Sequence, residues 1–134
     1  MENCLFCKII AGEIPCHKIY EDDEVFAFLD ITNDPEGHTL VVPKVHSENL
    51  HDTNSDTFAY VMQIAQEIAQ HYVNIGYSSG NNIYINSGKC AGQEVMHLHI
   101  HILPRREGDG IDFSRPGKPS DKELADVAAA LRLN

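Results

Sequence analysis

The chain has 134 residues, 43% of them hydrophobic, and a formal net charge of −10. A single domain of this length builds a core without disulfides, whereas the negative charge excludes broad binding to nucleic-acid polymers, which need clustered lysine and arginine. No run of about 18 apolar residues is present to cross a membrane, and no secretory signal opens the chain. We therefore predict a cytoplasmic protein whose four cysteines are thiols or metal ligands.

The first half of the sequence predicts a short helix followed by three strands. The helix extends from Cys4 to Ile10, with Asn3 positioned to cap it and Gly12 to end it. Apolar runs separated by turns rich in Asp, Asn, Pro and Gly then predict antiparallel strands, which cover Lys18 to Glu21, Val25 to Leu29 and Thr39 to Val42.

The second half predicts one long helix, two more strands and a terminal helix. Apolar residues at steps of three and four mark the long helix over Ser55 to Tyr72. Strands over Ile83 to Asn86 and Val95 to Leu103 bracket the loop Ser87 to Gln93, and a capping box at Ser120 begins the last helix. We therefore predict an α+β fold, with a five-stranded antiparallel sheet, one long helix and a short N-terminal helix.

Three histidines alternate with apolar residues in the run His97-Leu98-His99-Ile100-His101. On one strand, alternate side chains share a face and lie about 7 Å apart, so the three imidazoles line the surface opposite the core. At that spacing they cannot all bind one metal ion. Imidazole has a pKa near 6.5, so at neutral pH it is largely unprotonated and nucleophilic. We therefore expect His99 to attack a phosphorus centre while an acceptor holds its other ring nitrogen.

The segment Gly92 to Arg105 resembles the signature of the histidine triad (HIT) superfamily. The resemblance covers residues 4–105 of a single HIT domain spanning 1–134, and residues 106–134 form a C-terminal tail. It includes four upstream segments, Phe6 to Pro15, Tyr20 to Asp22, Ala27 to Ile31 and Gly37 to His46. The chain is most similar to the Hint branch of purine nucleoside phosphoramidases, which implies a homodimer whose sheet continues across both subunits.

The resemblance implies a two-step reaction at the triad. His99 displaces an amine or another leaving group from the α-phosphate of a purine nucleotide, and water then cleaves the nucleotidyl-histidine. His101 orients or polarises His99 and the phosphate, and His97 completes the catalytic triad.

The resemblance also implies a nucleotide pocket. Asp30 falls where the family binds the ribose hydroxyls, although an acid there is also typical of a turn. The base is enclosed by apolar positions that are equally typical of a core, and these are Leu5, Phe6, Ile9, Phe28 and Ile31. Asn86, Gly92 and Gln93 match positions that contact the phosphate.

Glu94 departs from the Hint pattern, which has a small hydroxyl residue there to assist the leaving group. A carboxylate pointing inward would repel phosphate, so Glu94 faces away, takes up a proton or binds a cationic amine of the substrate. The segment His101 to Asp109 also resembles the Fhit branch, which cleaves dinucleoside polyphosphates. The substrate class stays open between these two branches.

Cys4 and Cys7 form a C-x-x-C pair whose spacing suits one tetrahedral metal ion, a buried small-residue pair or a redox pair. The resemblance to a bacterial-type, zinc-binding subset adds His46 and His97 as ligands. Four protein ligands leave no open position, so this Zn²⁺ would be structural. The remaining cysteines and histidines receive no role, namely Cys16, Cys90, His17, His38, His51 and His71.

Three other functions are compatible with the sequence. The protein could bind nucleotides without significant turnover, transfer the nucleotidyl group to phosphate or another acceptor, or serve as a zinc-binding scaffold. The intact triad disfavours the first, because a binding module has no use for a nucleophile. Loss of function on removal of Cys4 and Cys7 but not of His99 would indicate the scaffold.

Overall fold

The computed structural model describes residues 3–112 and 117–134. Two segments lie outside this range. They are residues 1–2, which belong to the segment that argued against a secretory signal, and residues 113–116 of the predicted tail. The strands are β1 (Lys18–Glu21), β2 (Val25–Leu29), β3 (Thr39–Pro43), β4 (Gly80–Tyr84) and β5 (Ile100–Arg105), and the helices are α1 (Leu5–Ile10), α2 (Ser55–Asn74) and α3 (Asp121–Leu131). The five strands form one antiparallel sheet in the order β1-β2-β3-β5-β4. The predicted α+β fold is confirmed.

Helix α1 begins differently from the prediction. Cys4, not Asn3, is the N-cap, because its Sγ accepts a hydrogen bond from the Cys7 N–H at 3.3 Å. The first turn is thereby built around the C-x-x-C pair. Both sulfurs lie at the start of the helix, where they face the end of the sheet that carries the histidines.

The sheet is covered on both faces. On one face, α2 packs its apolar stripe against inward residues of the central strands, including Val41, Ile100 and Ile102. On the other face, Phe6 and Ile9 of α1 pack in a second buried cluster with Phe26, Phe28, Leu40 and Val42. Because α1 covers part of the face that carries the histidines, this face is not the open surface that strand alternation predicted.

The last two strands have different bounds from those predicted. β4 starts earlier, at Gly80, and ends at Tyr84, because ladder pairing with β5 recruits polar residues that carry no strand pattern. β5 begins at Ile100 instead of Val95. Before that point the backbone pairs with a loop, as the Leu98 N–H donates to the Ser47 carbonyl at 2.8 Å.

The tail carries the predicted terminal helix. The Ser120 hydroxyl accepts from the Glu123 N–H at 3.1 Å, so Ser120 is confirmed as the N-cap at which this helix begins. All residues of α3 are exposed. Within residues 3–112 and 117–134, none of the helices is long and apolar enough to span a bilayer.

Candidate active site and metal centre

The three motif histidines are buried and close together. His97 is 0% exposed, His99 7% and His101 9%. The ring centroids of His99 and His101 are 4.8 Å apart, much closer than regular strand spacing predicted. The prediction was wrong because His97 and His99 precede β5, where the backbone is irregular and the rings approach each other.

His99 is held in one tautomer by the backbone. Its Nδ1–H donates to the His97 carbonyl oxygen at 2.7 Å, so Nε2 of the neutral ring keeps its lone pair. Burial lowers the pKa of His99, although the His97 carbonyl opposes that shift. The Phe6 ring packs edge-on against His99, with centroids 5.0 Å apart. His99 is therefore neutral, oriented and chemically suited to attack an electrophile.

His101 belongs to a hydrogen-bonded pair that the sequence interpretation missed. His38 Nδ1 lies 3.1 Å from the Asp34 carbonyl, to which it must donate, so its Nε2 accepts from His101 Nδ1–H at 2.8 Å. His101 Nε2 is buried and finds no hydrogen-bond partner among the described residues. Burial, followed by His99 and His38, lowers the pKa of His101 to about 4. In the neutral ring, Nε2 therefore carries a lone pair that is available to a ligand.

The only sequence signal for His38 was its place at the start of a strand inside the motif-bearing region. Its partner lies 63 residues away and becomes a neighbour only through the pairing of β3 with β5. Sequence spacing alone could not reveal this contact.

We expect His38→Leu to lower kcat/KM for a nucleotide substrate about 10-fold or more. The substitution leaves the buried His101 Nδ1–H without an acceptor, which costs roughly 1–3 kcal/mol and releases the orientation of that ring. Steady-state kinetics beside His71→Leu, a change at an exposed histidine of α2, would measure the effect. Equal kcat/KM in His38→Leu and wild type would contradict it.

Cys4, Cys7, His46 and His97 form a compact donor cluster, as predicted. Their ligand atoms all lie within 4.8 Å of one another. His97 Nδ1 is 3.3 Å from Cys4 Sγ and 3.2 Å from His46 Nδ1, and Cys7 Sγ is 3.4 Å from His46 Nδ1. A Zn²⁺ tetrahedron with Zn–N near 2.0 Å and Zn–S near 2.3 Å has edges of roughly 3.3–3.8 Å. The residues therefore fit this ion in size and chemistry.

The second ring nitrogen of His97 also fits metal binding. His97 Nε2–H donates to the Pro43 carbonyl at 2.8 Å, which leaves Nδ1 unprotonated toward the cluster, an arrangement typical of metal-bound histidine. Burial and the neighbouring Cys4 raise the pKa of Cys7 to about 11, so its thiolate needs a compensating cation. All four described cysteines are free thiols.

The predicted base-binding residues lie in two different environments. Phe6, Ile9 and Phe28 are buried together beside the triad. Leu5 is 43% exposed and Ile31 is 100% exposed. These two side chains therefore present apolar surface that the protein itself leaves uncovered.

Asp30 is half-buried at the end of β2. Its Oδ1 accepts from the N–H and the hydroxyl of Thr32 at 2.8 and 2.7 Å, as a turn acid does. Burial works against ionisation, but the bonds from Thr32 and the proximity of His38 and His101 lower the pKa of Asp30. The carboxylate is therefore ionised and fixed near the triad.

The three predicted phosphate-contact residues lie in one loop. Gly92 has φ +92°, and a Cβ there would lie 3.4 Å from Asn86 Nδ2. The buried Gln93 uses its side-chain amide to hold the loop, because Nε2 donates to the Glu48 and Val95 carbonyls and Oε1 accepts from the Gly88 N–H. Gln93 shapes this loop and does not point a free amide at a ligand.

Glu94 is exposed and lines a cleft beside the donor cluster, together with Leu5, His46, Glu48 and Met96. Its side chain is not turned into the buried triad. Of the residues without an assigned role, only His38 joins the site, and Cys16, Cys90, His17, His51 and His71 do not.

Fold and site together define an α+β protein with a histidine triad beside a Cys₂His₂ cluster. The profile of the HIT domain family matches residues 11–108. The chain belongs to this family and to its Hint-like branch.

Three relatives illustrate the similarity. The chain is 48% identical to Protein hit of Bacillus subtilis, over 98% of this chain and 95% of the relative. It is 40% identical to adenosine 5′-monophosphoramidase HNT1 of Saccharomyces cerevisiae, over 88% and 73% of the two chains. It is 37% identical to adenylylsulfatase HINT3 of Arabidopsis thaliana, over 97% and 68%.

The fold also matches a crystal structure of a zinc-bound histidine triad family protein from Mycobacterium smegmatis. The TM-score is 0.80 at 40% identity, with 96% of this chain and 98% of that chain covered. A metal-containing relative is therefore similar over nearly its whole length.

Proposed function

We propose that this protein is a nucleotide hydrolase that cleaves purine nucleoside phosphoramidates or related nucleotide conjugates at the α-phosphate. The observation that carries the proposal is the tautomer of His99, whose Nδ1–H is bound to the His97 carbonyl so that Nε2 remains a nucleophile. Two relatives named for cleaving adenosine phosphoramidate and adenylyl sulfate support the same class of chemistry.

In the first step, the lone pair of His99 Nε2 forms a bond to phosphorus as the bond to the leaving group breaks. The Nδ1–H···O=C bond stabilises the positive charge that develops on the ring. In the second step, water cleaves the nucleotidyl-histidine, which releases the nucleoside monophosphate and restores the imidazole.

His101 donates a proton in the first step of this reaction and recovers it in the second. A bound phosphoryl group with a negatively charged oxygen favours the charged imidazolium, so Nε2, which lacks a partner among the described residues, donates to a phosphoryl oxygen. The leaving amine takes this proton, and His101 recovers it from the attacking water in the second step. His38 keeps the ring of His101 in place throughout, through the Nδ1 contact.

The remaining residues hold the nucleotide. Phe6, Ile9 and Phe28 form the floor for a purine base, and Leu5 and Ile31 cover it with their exposed apolar surface. The ionised Asp30 accepts from the ribose hydroxyls. The loop shaped by Asn86, Gly92 and Gln93 brings backbone N–H groups to the phosphate.

The Cys₂His₂ cluster would hold a structural Zn²⁺, which would fix α1 against the sheet by neutralising two thiolates. Cys4 and Cys7 supply the sulfurs and His46 and His97 the nitrogens. A reducing compartment such as the cytoplasm keeps both thiols available, which cell fractionation of the tagged protein would test.

We also propose a homodimer formed through the edge strand β4. This strand is the last in the sheet, and it borders a groove against α2 lined by Met62, Gln66, Gln70, Val73 and Ile83. An open edge with an adjoining apolar groove suits pairing with its symmetry copy. Sedimentation equilibrium should give twice the monomer mass, and Ile83→Lys should give the monomer mass.

The substrate class is tested by comparing three nucleotides at equal concentration. We expect release of AMP from adenosine 5′-phosphoramidate to exceed that from adenylyl sulfate and from a diadenosine polyphosphate. Preference for the dinucleotide would place the enzyme with the Fhit-type hydrolases. Formation of ADP on addition of inorganic phosphate would indicate a transferase, and cleavage of none of the three would refute the hydrolase.

A further inference from the structure

One row of side chains crosses four strands at the level of the triad. The register pairs Phe28 with Leu40, Leu40 with His101, and His101 with Tyr84. Directly paired residues of neighbouring strands share a face of the sheet. Tyr84 therefore lies on the same face as the triad, at the edge-strand end of this row.

The ring of Tyr84 lies flat on the ring of His101. Their centroids are 4.3 Å apart and their planes differ by 13°, a face-to-face stack. Phe6, by contrast, is edge-on toward His97 and His99, and the His38 ring is tilted against His101. Tyr84 is 36% exposed, so its ring is only partly enclosed by the protein.

A face-to-face stack favours the charged form of the imidazole. The negative face of a tyrosine ring attracts a cation held above it. Burial and the influence of Asp30 raise the pKa of Tyr84, so the phenol remains neutral. The neutral Tyr84 ring therefore stays stacked on His101 both when His101 is neutral and when it is protonated.

The other groups that face His101 act in opposite directions. His99 and His38 disfavour its protonation, as burial does most strongly, whereas Asp30 favours it. Among these influences Asp30 opposes the penalty of burial, and a stacked tyrosine ring acts in the same direction as Asp30. The Tyr84 ring is in van der Waals contact with the His101 ring, whereas the Asp30 carboxylate is hydrogen-bonded to Thr32.

We propose that Tyr84 is a positioning residue for His101. The aromatic face of Tyr84 stabilises the His101 imidazolium that contacts the phosphoryl group, and it holds the plane of the His101 ring. This inference rests on the proposed function for its catalytic consequence, but the stack and its effect on protonation do not depend on turnover. Tyr84 acts through His101 and makes no contact with the reacting atoms in this scheme.

The test compares Tyr84→Leu with Tyr84→Phe, which keeps the aromatic face and removes only the hydroxyl. Imidazole ¹⁵N resonances of His101 in the nucleotide-free protein are titrated downward from pH 8, with the exposed His51 as an internal reference. We expect the pKa of His101 in Tyr84→Leu to lie about half a unit or more below wild type, and that in Tyr84→Phe to equal wild type. Tyr84→Met provides the same comparison if the leucine variant does not fold.

Turnover gives the second readout. We expect kcat for adenosine 5′-phosphoramidate to fall several-fold in Tyr84→Leu and to be retained in Tyr84→Phe. An unchanged or higher pKa of His101 in Tyr84→Leu, or an equal fall in both variants, would overturn the proposal. If the pKa shifts as expected in a protein that cleaves none of the nucleotides, the stack is real and the proposed function has failed.

Discussion

The His99→Ala variant should lose at least about 1,000-fold in kcat for adenosine 5′-phosphoramidate, while it folds and binds AMP. Removing a nucleophile abolishes the covalent path and leaves only the catalysis that binding and polar contacts provide. Each factor of ten corresponds to about 1.4 kcal/mol of transition-state stabilisation. His99, the proposed nucleophile, is also held by a 2.7 Å hydrogen bond, so we expect no neighbouring ring to replace it in the same position.

Rapid quench followed by mass spectrometry would check the same prediction by detecting the nucleotidyl-histidine intermediate. A mass increase of one nucleotidyl group should appear on the peptide that contains His99 in wild type and be absent in the variant. His51→Ala, a change at an exposed histidine, serves as the control and should behave as wild type. Full turnover by His99→Ala, or a label on another residue, would show that His99 is not the nucleophile.

The sequence predicted the fold well where apolar periodicity coincides with burial. Helix α2 begins at Ser55 as predicted and extends two residues further, to Asn74. β1 and β2 match their predicted bounds, because turns limit both strands. β4 did not match, since its Gly80–Asn82 portion is made a strand by pairing with β5 and not by its own side chains.

The candidate site was predictable to the extent that its residues fall in a motif. The four metal-binding candidates were predicted from the C-x-x-C spacing and the family resemblance, and the fold brings them together. His38 was missed because its role arises from a contact between β3 and β5. The burial of the triad was missed because it depends on α1, which packs on the histidine-bearing face from the far end of the sequence.

Loss of the proposed metal centre should lower both the stability of the protein and its catalytic rate. We expect Cys7→Ser, or chelation of the metal, to lower the free energy of unfolding by roughly 3 kcal/mol or more, about 10 °C in Tm for a domain of this size. Helix α1 has only six residues, too few to be stable alone, so its position depends on this centre and on Phe6 and Ile9. Cys90→Ser is the matched control, because Cys90 is exposed and outside the cluster.

The catalytic effect follows from His97, which belongs to both centres. Its ring faces the metal-binding cluster, and its carbonyl oxygen fixes the tautomer of His99. Phe6, which lies between Cys4 and Cys7 in the sequence, packs on the ring of His99. Displacement of α1 should therefore loosen His99, the proposed nucleophile, and kcat should fall about 10-fold or more in Cys7→Ser even at a temperature where the variant is folded. Zinc content near one per chain in wild type, with wild-type kcat in Cys7→Ser, would show that the metal stabilises α1 without orienting His99. Wild-type Tm after chelation would show that the cluster is not a structural metal centre.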